Sequence, residues 1–388
     1  MRSWTLGLEL VLLVVILCTT ASSGEKKVVC YLGSWSTYRP GNGKFEIENI
    51  NPYLCTHAIF AFVGITYQGG VNILDSWNEI DKGAFRRFNE LRNQNAALKT
   101  LVAIGGWNEG STSYSYVVND DTLRQTFVKN VVAFVQEYGF DGFDLDWEYP
   151  AQRGGADTDK AAFVKLIKEL REEFDKYGYL LTAAVGAAES SASISYDIEQ
   201  LGKYLDFINI MTYDLHGSWD SKTGHNAPLY AGPADETDSE KKLNVDACVN
   251  YWLSQGAPAE KIIVGMGTYG RTFTMSSTTC AIGVAAAGAG SAGPYTRESG
   301  FLGYNEICEE QSKWTVHWED QQKVPYACNG NQFVGYDNIE SIKIKAEYIV
   351  EKGLGGGMIW SLETDDFLGQ CHGHTFPLLT IINEVFEN

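Results

Sequence analysis

The sequence predicts an α/β protein in which eight parallel strands close into a (β/α)8 TIM barrel, with a small α+β insertion domain after the seventh strand. Eight short apolar segments recur along the chain, and stretches with helical spacing of apolar residues lie between them. Most of the segments are continuous apolar runs, which is typical of parallel strands that helices cover. An eight-stranded barrel is the simplest closure of such a sheet.

The spacing of the predicted strands locates the insertion. The strands cover residues 28–32, 56–63, 99–104, 140–147, 180–185, 207–212, 262–266 and 357–361. Because one strand, loop and helix take roughly 30 to 45 residues, the last interval is too long by about fifty. We assign residues 24–271 and 338–388 to the barrel and about 272–337 to the insertion. Within the insertion, the Ala- and Gly-rich segment 285–293 is expected to form a turn or a flexible loop.

Apolar residues repeat every three or four positions on both sides of the fourth predicted strand, which predicts a helix on each side. The two stripes are Leu123, Phe127, Val131 and Phe134, and then Phe163, Leu166, Ile167, Leu170 and Phe174. Four glycines stand where a left-handed residue would end a helix. They are Gly139, Gly178, Gly256 and Gly353.

Composition limits the class of protein and its partners. The chain has 388 residues, of which 44% are hydrophobic and 13% aromatic, so it can bury a large core as one domain or two. Its net charge of −19 argues against nucleic acid or an anionic membrane as a partner. Ten Trp and twenty-one Tyr residues indicate an aromatic ligand surface, for which stacking on carbohydrate is the first hypothesis.

The N-terminus has the layout of a secretory signal peptide. Arg2 precedes an apolar run at 10–18, and small residues lead to Ser23. A membrane anchor is disfavoured, because this run is much shorter than the ~20 residues that span a bilayer. We therefore expect cleavage after residue 23 and a secreted, extracellular protein. An odd number of cysteines then remains, and Cys248, on a helical apolar stripe, is expected to stay unpaired and buried.

Three acids alternate along the fourth predicted strand. Asp144, Asp146 and Glu148 point to one face of the strand, and large apolar residues point to the other. In a barrel the acids would line the interior toward the carboxyl end, where barrel active sites lie. Crowded carboxylates repel each other, so at least one keeps its proton near neutral pH. Glu148, the outermost, is the predicted general acid.

The acidic strand has three possible roles besides catalysis. A solvated acidic edge conflicts with the large apolar residues that alternate with the acids. A calcium loop needs Gly at its sixth position and Glu at its twelfth, but counting from Asp141 gives Asp146 and Gln152. A magnesium or manganese site is compatible with the spacing and stays open as an alternative.

The run from Asp141 to Glu148, Asp-Gly-Phe-Asp-Leu-Asp-Trp-Glu, resembles the signature of glycoside hydrolase family 18, the chitinases and related proteins. The resemblance extends over nearly the whole chain after the leader and is strongest to secreted animal chitinases of the arthropod type. The other matching segments are 30–35, 103–108, 211–217, 269–271 and 356–361.

The resemblance implies an endo-type chitinase, a glycosidase that cleaves β-1,4 linkages between N-acetylglucosamine units of chitin and chitooligosaccharides. The mechanism implied is retaining and substrate-assisted, with Glu148 as general acid and base. By the same resemblance, Asp146 holds the acetamide N–H and Asp144 shares a proton with Asp146. Tyr213 binds the acetamide oxygen. No cofactor or metal is implied, and we expect a monomer.

The resemblance also implies a set of substrate-binding residues, with Trp360 as the floor under the −1 sugar. A sugar has C–H faces and hydroxyl edges, so aromatic rings beneath it and polar groups around it fit its chemistry. The set is Tyr31, Trp35, Trp107, Asn108, Met211, Asp214, Trp219, Arg271, Glu298 and Trp360. Trp77 is a weaker candidate for the same aromatic surface. Taken alone, any one of Trp35, Trp77 and Trp219 is more often a packing residue than part of a binding surface.

The remaining cysteines are expected to form disulfides. The resemblance pairs Cys30 with Cys55 and Cys308 with Cys371, and elimination then leaves Cys280 with Cys328. A metal site at 371–374, which holds two histidines, is the alternative, but a second ligand pair at finger spacing is missing from the sequence.

Two other functions are compatible with the resemblance. The family includes chitinase-like lectins that keep the barrel and replace the acid, whereas this chain retains Glu148. A hydrolase of a different N-acetylglucosamine-containing glycan would use the same acetamide chemistry with different subsites.

Overall fold

The structure, a computed structural model, describes residues 25–387. The predicted signal peptide, residues 1–23, lies outside these residues. The strands, in chain order, are β1 (Lys27–Gly33), β2 (His57–Ile65), β3 (Val71–Asn72), β4 (Lys99–Gly105), β5 (Gly142–Asp146), β6 (Leu180–Gly186), β7 (Phe207–Met211), β8 (Ile262–Gly267), β9 (Tyr269–Met275), β10 (Ala286–Ala289), β11 (Phe301–Gly303), β12 (Thr315–Glu319), β13 (Val324–Asn329), β14 (Gln332–Gly335) and β15 (Gly356–Trp360).

Helices follow most of the barrel strands. They are α1 (Ala84–Glu90), α2 (Thr112–Asn119), α3 (Asp121–Tyr138), α4 (Asp159–Phe174), α5 (Glu189–Ser195), α6 (Ile198–Tyr204), α7 (Val245–Ser254), α8 (Tyr304–Glu309), α9 (Ile339–Glu351) and α10 (Pro377–Phe386). The four glycines predicted to end helices all have positive φ, and Gly139 is the C-cap of α3. Within residues 25–387, none of the helices combines the length and apolarity that a membrane span requires.

Eight parallel strands close into a barrel, which confirms the predicted fold class. Around the barrel the strand order is β1, β15, β8, β7, β6, β5, β4 and β2, and β2 pairs again with β1. The observed strands begin and end close to the predicted boundaries, because each is an apolar run bounded by a polar or glycine-containing turn. The carboxyl ends of all eight strands therefore face the same side of the molecule.

Side chains of the barrel strands alternate between two apolar layers. Phe143 and Leu145 of β5 belong to the outer layer, which the helices cover, and Trp147 packs edge-on against Phe163 of α4. The inner layer is smaller and includes Tyr31 and residues from most of the other strands. Since Asp144 alternates with the outer residues of β5, its carboxyl group lies in the interior.

A second, antiparallel sheet lies between β8 and β15 in the chain. Its order is β10, β9, β14, β13 and β12, with β11 paired to β9. The sheet begins at Tyr269, slightly before the expected boundary at 272. The loop predicted for 285–293 is wrong in part, because Ala286–Ala289 is strand β10, paired antiparallel to β9. Small side chains suggest a turn, but an edge strand is held by backbone hydrogen bonds that need no bulky residues.

All three expected disulfides are present. Their pairs are Cys30–Cys55, Cys280–Cys328 and Cys308–Cys371. Cys248 is the free cysteine of the described residues and is buried on α7, where burial raises the pKa of its thiol to about 12. The first disulfide ties β1 to the segment that enters β2.

A buried ion pair on α9 fixes the long segment that leaves β7. Lys345 Nζ lies 2.6 Å from Asp337 Oδ1 and also donates to the carbonyl of Ala227 at 2.6 Å. The neighbouring Asn226 Oδ1 accepts a hydrogen bond from the backbone N–H of Asp214 at 2.9 Å. Both charged side chains are almost fully buried. The pair therefore holds the segment that carries Asp214 at the carboxyl end of the barrel.

We expect Lys345→Met to lower the free energy of unfolding by about 3 kcal/mol or more, because it leaves the Asp337 charge buried without its partner. Urea unfolding followed by circular dichroism measures the change. Lys343→Met, on the same helix but exposed, is the control and should stay within about 0.5 kcal/mol of the wild type. Equal stability of the two variants would contradict the structural role of the ion pair.

Candidate active site

Asp144 lies in the barrel interior at the centre of a hydrogen-bond network. Its Oδ2 accepts from the Tyr31 hydroxyl at 2.7 Å. Its Oδ1 accepts from Thr182 Oγ1 at 2.5 Å and from Asn209 Nδ2 at 3.4 Å. Burial raises the pKa of Asp144 to about 6, and these three hydrogen bonds oppose the rise. The carboxyl group is thus fixed in place and titrates in the weakly acidic range.

Asp146, two residues further along β5, is also buried, but it has fewer hydrogen bonds than Asp144 to offset the cost of burial. Within residues 25–387 its Oδ1 has no hydrogen-bond partner, and no hydrogen bond joins it to Asp144. Burial raises the pKa of Asp146 well above its ordinary value, and the charges of Glu148 and Asp144 act in the same direction. Such a buried acceptor costs free energy until a donor reaches it.

Glycines at the end of β4 allow the close approach of β5 at this point. A Cβ on Gly105 would lie 2.1 Å from the Asp146 carbonyl oxygen, and its φ is +115°. The backbone N–H of Gly106 donates to the same oxygen at 2.8 Å. A larger residue at Gly105 would therefore displace the strand that carries the acids.

Glu148 follows the last residue of β5 at the barrel mouth and is 9% exposed. Burial raises the pKa of Glu148 to about 7. The negative charge of Asp214 adds to the rise, whereas Tyr149 and Arg153 oppose it. A carboxyl group with this pKa holds its proton in a large fraction of molecules near neutral pH, as a general acid requires.

Arg153 joins the backbone of Glu148 to Trp107. Its Nη1 donates to the Glu148 carbonyl at 3.0 Å and to the Trp107 carbonyl at 2.8 Å. The guanidinium carbon lies 3.5 Å from the centre of the Trp107 ring. Arg153 thus fixes the peptide that carries the acid relative to an exposed aromatic ring.

Tyr213 reaches into the site from the end of β7. It is buried, and its hydroxyl contacts Met358 Sδ at 3.7 Å, a weak acceptor. A Cβ on Gly265 would lie 2.8 Å from the Tyr213 ring, so the glycine provides space for it. Met211, the last residue of β7, is half-buried beside the inner layer. The Tyr213 hydroxyl keeps most of its capacity to donate a hydrogen bond.

Asp214 connects the barrel to the second sheet. Its Oδ1 accepts from the Tyr269 hydroxyl at 2.7 Å and from Arg271 Nε at 2.6 Å, both on β9. Burial disfavours the charge of Arg271, but Asp214 and Glu298 raise its pKa above the ordinary value. The guanidinium also lies 5.3 Å from the ring of Trp219. One cation therefore orients a carboxylate and an exposed aromatic ring together.

Aromatic rings cover the carboxyl end of β15. Trp360 ends this strand and stacks on Phe62 with centroids 5.7 Å apart, and Trp35 lies 6.1 Å from both rings. The rings of Trp107 and Trp219 are each 59% exposed. Trp77 is also exposed, but its ring lies beneath the Lys82 ammonium group and not beside these rings.

Three members of the predicted binding set are not exposed rings of this aromatic surface, although the Tyr31 ring packs against Trp360 with centroids 5.6 Å apart. Tyr31 is 1% exposed, and its hydroxyl is bound by Asp144 and Asn209, so it lies beneath the site rather than on its surface. Asn108 and Glu298 are exposed on loops.

Four residues of the site were missed by prediction from the sequence. Thr182 and Asn209 are polar residues inside apolar strands, and that interruption could have marked them. Phe62 is indistinguishable by sequence from a core residue. Arg153 lies in a loop, where neither periodicity nor spacing gives a signal.

Cys371 and His372 of segment 371–374, the alternative metal site, make contacts within the protein. In the described part of the chain, one group of side chains has the spacing of potential metal ligands: Cys308, Asp366 and Cys371. Its two cysteines are joined in a disulfide, so their sulfur atoms are not thiolate ligands. His372 Nε2 lies 2.9 Å from the Tyr304 hydroxyl.

Known proteins resemble the chain over most of its length. The profile of glycosyl hydrolases family 18 matches residues 27–365. "Probable chitinase 2" of Drosophila melanogaster is 45% identical over 96% of this chain and 85% of its own length. The crystal structure of Ostrinia furnacalis Group IV chitinase in complex with allosamidin is 48% identical, with a TM-score of 0.91 over 94% of this chain and 99% of that one.

A non-catalytic relative is also similar. Human YKL-39, a pseudo-chitinase with retained chitooligosaccharide binding properties, is 38% identical with a TM-score of 0.88, over 94% of this chain and 100% of that one. Overall similarity therefore does not distinguish hydrolases from binding proteins. That distinction depends on the residues of the site.

Glu148→Gln is expected to reduce the pH dependence of stability. Because folding raises the pKa of Glu148 from 4.5 to about 7, the folded protein binds more protons than the unfolded chain, and wild-type stability falls as pH rises through this range. Between pH 5 and 8 the wild type should lose on the order of 2 kcal/mol more than Glu148→Gln.

Urea unfolding at several pH values measures this difference. Glu172→Gln, an exposed residue of α4, is the control and should follow the wild type. Parallel pH curves for wild type and Glu148→Gln would show that Glu148 is not held in a proton-retaining environment.

Proposed function

The chain belongs to glycosyl hydrolases family 18, and we propose that this glycosidase is a secreted, endo-acting chitinase of the animal type. Its substrates are chitin and chitooligosaccharides, whose β-1,4 linkages between N-acetylglucosamine units it hydrolyses with retention of configuration. The observation that carries the proposal is the pairing of a proton-holding Glu148 with Asp146, whose buried Oδ1 has no partner among the described residues.

In the first step Glu148 donates its proton to the glycosidic oxygen while the bond from that oxygen to the anomeric carbon breaks. The carbonyl oxygen of the substrate's own N-acetyl group forms the new bond to that carbon, giving an oxazolinium ion. Water then attacks the anomeric carbon while the bond from that carbon to the acetamide oxygen breaks, which restores the N-acetyl group, and the water transfers a proton to the Glu148 carboxylate. Two inversions at one carbon leave the configuration retained.

Asp146 accepts the acetamide N–H through its Oδ1 and stabilises the positive charge of the ion. An unpaired buried acceptor suits this task, because the substrate satisfies it only when it is bound in position. Asp144, held by three donors, supplies a second negative charge behind Asp146. The Tyr213 hydroxyl donates to the acetamide oxygen.

Aromatic and polar side chains bind the chain of sugars. Trp360 forms the floor beneath the −1 sugar, and Trp35 extends this floor. Trp107 and Trp219 offer further exposed rings. Tyr31 acts by positioning Asp144. The subsite wall is completed by Met211, and polar contacts to the sugars come from Asn108, Asp214, Arg271 and Glu298.

Secretion agrees with the chemistry of the cysteines. The three disulfides suit an oxidising compartment. The leader at 1–23 supplies the export signal. A lectin function, as in the pseudo-chitinase relative, is disfavoured, because Glu148 and its surrounding acids are all present.

Hydrolysis of chitohexaose tests the function. The wild type should release products whose new reducing ends are β-anomers, read by NMR before mutarotation. Glu148→Gln should lower kcat by about 100- to 10,000-fold, since it removes the general acid, and should bind chitohexaose with affinity close to that of the wild type. Glu172→Gln should keep full activity. Turnover by Glu148→Gln at the wild-type rate would refute the acid assignment, and α-anomers would refute retention.

Asp144→Asn should shift the acidic limb of the pH profile of kcat/KM to lower pH. The negative charge of Asp144 raises the pKa of Asp146, so its removal lets Asp146 ionise in more acidic solution. The control is Asp141→Asn. Asp141 lies in the same segment but forms an ion pair with Arg92 away from the site, so the pH profile of this variant should match that of the wild type. An unchanged profile in Asp144→Asn would remove the coupling of the two acids from the mechanism.

A further inference from the structure

An open cavity of about 510 Å³ lies outside the catalytic residues described above. Its lining comes from the turn after β2, from α2 and from the loop between β5 and α4. None of the residues assigned to the hydrolysis lines it. The lining includes Tyr67, Thr112, Tyr116, Asp120, Gly154 and Thr158.

Two tyrosines provide an aromatic surface in this cavity. Tyr67 and Tyr116 are 49% and 58% exposed, and their rings meet edge to face with centroids 5.5 Å apart. Within residues 25–387, neither hydroxyl has a hydrogen-bond partner. Exposed ring faces with free hydroxyl groups match the C–H faces and hydroxyl edges of a sugar.

The floor of the cavity is fixed by one buried carboxylate. Asp159 is fully buried and accepts hydrogen bonds from Ser115 Oγ at 2.7 Å and Asn119 Nδ2 at 2.7 Å, both on α2. It also accepts from the backbone N–H of Ala156 at 2.9 Å and of Ala151 at 3.1 Å. These bonds join α2 to the loop before α4, so the cavity is already formed before a ligand binds.

The rim offers neutral hydrogen-bonding groups. In the described part of the chain, the hydroxyls of Thr112 and Thr158 have no hydrogen-bond partner. The single acid in the lining, Asp120, caps α3 through Thr122 and Leu123, and the lining contains no basic side chain. An uncharged sugar chain fits this lining, whereas a sulfated or sialylated glycan would lack a cationic partner.

The cavity adjoins the catalytic site through Trp107 and Arg153. Gly154 of the lining follows Arg153, which holds the backbone of Glu148 and stacks on Trp107. On the other wall, α2 begins shortly after the segment that carries Trp107. A polymer that passes over Trp107 can therefore continue along the molecule into the cavity.

We propose that this cavity is a second carbohydrate site, which binds N-acetylglucosamine units of a polymer outside the catalytic cleft and so holds long substrate on the protein. The proposal rests on the proposed chitinase function. Its ligand is an uncharged N-acetylglucosamine polymer stacked on Tyr67 and Tyr116. Short oligosaccharides that occupy only the catalytic cleft do not need it.

The test uses the full chain with the double change Tyr67→Ala and Tyr116→Ala. Binding to insoluble chitin is measured by depletion in the Glu148→Gln background, so that hydrolysis does not interfere. We expect about tenfold weaker binding from the loss of two stacking rings. With Glu148 intact, kcat/KM on chitotriose should stay within about twofold of the wild type.

The matched control is Tyr177→Ala with Tyr179→Ala, a second pair of tyrosines with ring centroids 5.5 Å apart, located between α4 and β6. Chitin binding that is unchanged, or that falls only as far as in this control, would overturn the proposal. So would a parallel loss of kcat/KM on chitotriose, which would assign the tyrosines to the catalytic cleft. Thermal unfolding of each variant shows that the fold is kept. Failure of the wild type to hydrolyse chitohexaose is a separate result and would refute the proposed function.

Discussion

The free-energy cost of burying carboxylates inside an apolar barrel is the constraint on which the site depends. The three acids on and just after β5 differ in how far hydrogen bonds offset this cost. Asp144 receives three hydrogen bonds, Asp146 is left with an unsatisfied oxygen, and Glu148 retains its proton because it is desolvated at the mouth. One strand therefore presents three carboxyl groups in three electrostatic states. The different roles proposed for them follow from environment, since the side chains themselves are nearly the same.

The surroundings of these acids are organised by contacts between groups of the protein itself. Glycines at the end of β4 let β5 approach, Arg153 fixes the peptide after Glu148, and Lys345 holds the segment that leaves β7. The second sheet contributes Tyr269 and Arg271, which both bind Asp214. Thus the inserted sheet is part of the site and not merely an addition to the barrel. The geometry of the proposed active site results from contacts between several loops and a rigid frame of parallel strands.

Most of the barrel was predictable from sequence, because buried parallel strands leave continuous apolar runs and helices leave stripes. The acids of β5 were predictable for a related reason, since charged residues at alternate positions of an otherwise apolar strand are costly to bury and seldom serve packing. Strand β10 was missed because its pairing depends on backbone atoms, and its alanines and glycines resemble a turn. Arg153 was missed because its contacts are made across a loop, where no local pattern marks them. Tyr31 differs in another way. It belongs to segment 30–35, whose resemblance to the family predicts contact with substrate, whereas its side chain is buried beneath the aromatic surface.

Cys248, the one free thiol among the described residues, could in principle attack the three disulfides. Disulfide exchange requires a thiolate, and at neutral pH a thiol with a pKa of about 12 is almost entirely protonated. Cys248 is also shut away from solvent on α7, so in the folded protein it is a poor attacker of the three bonds. During oxidative folding, before α7 docks, the same thiol is open to all six partners. Docking of this helix therefore withdraws Cys248 from disulfide exchange.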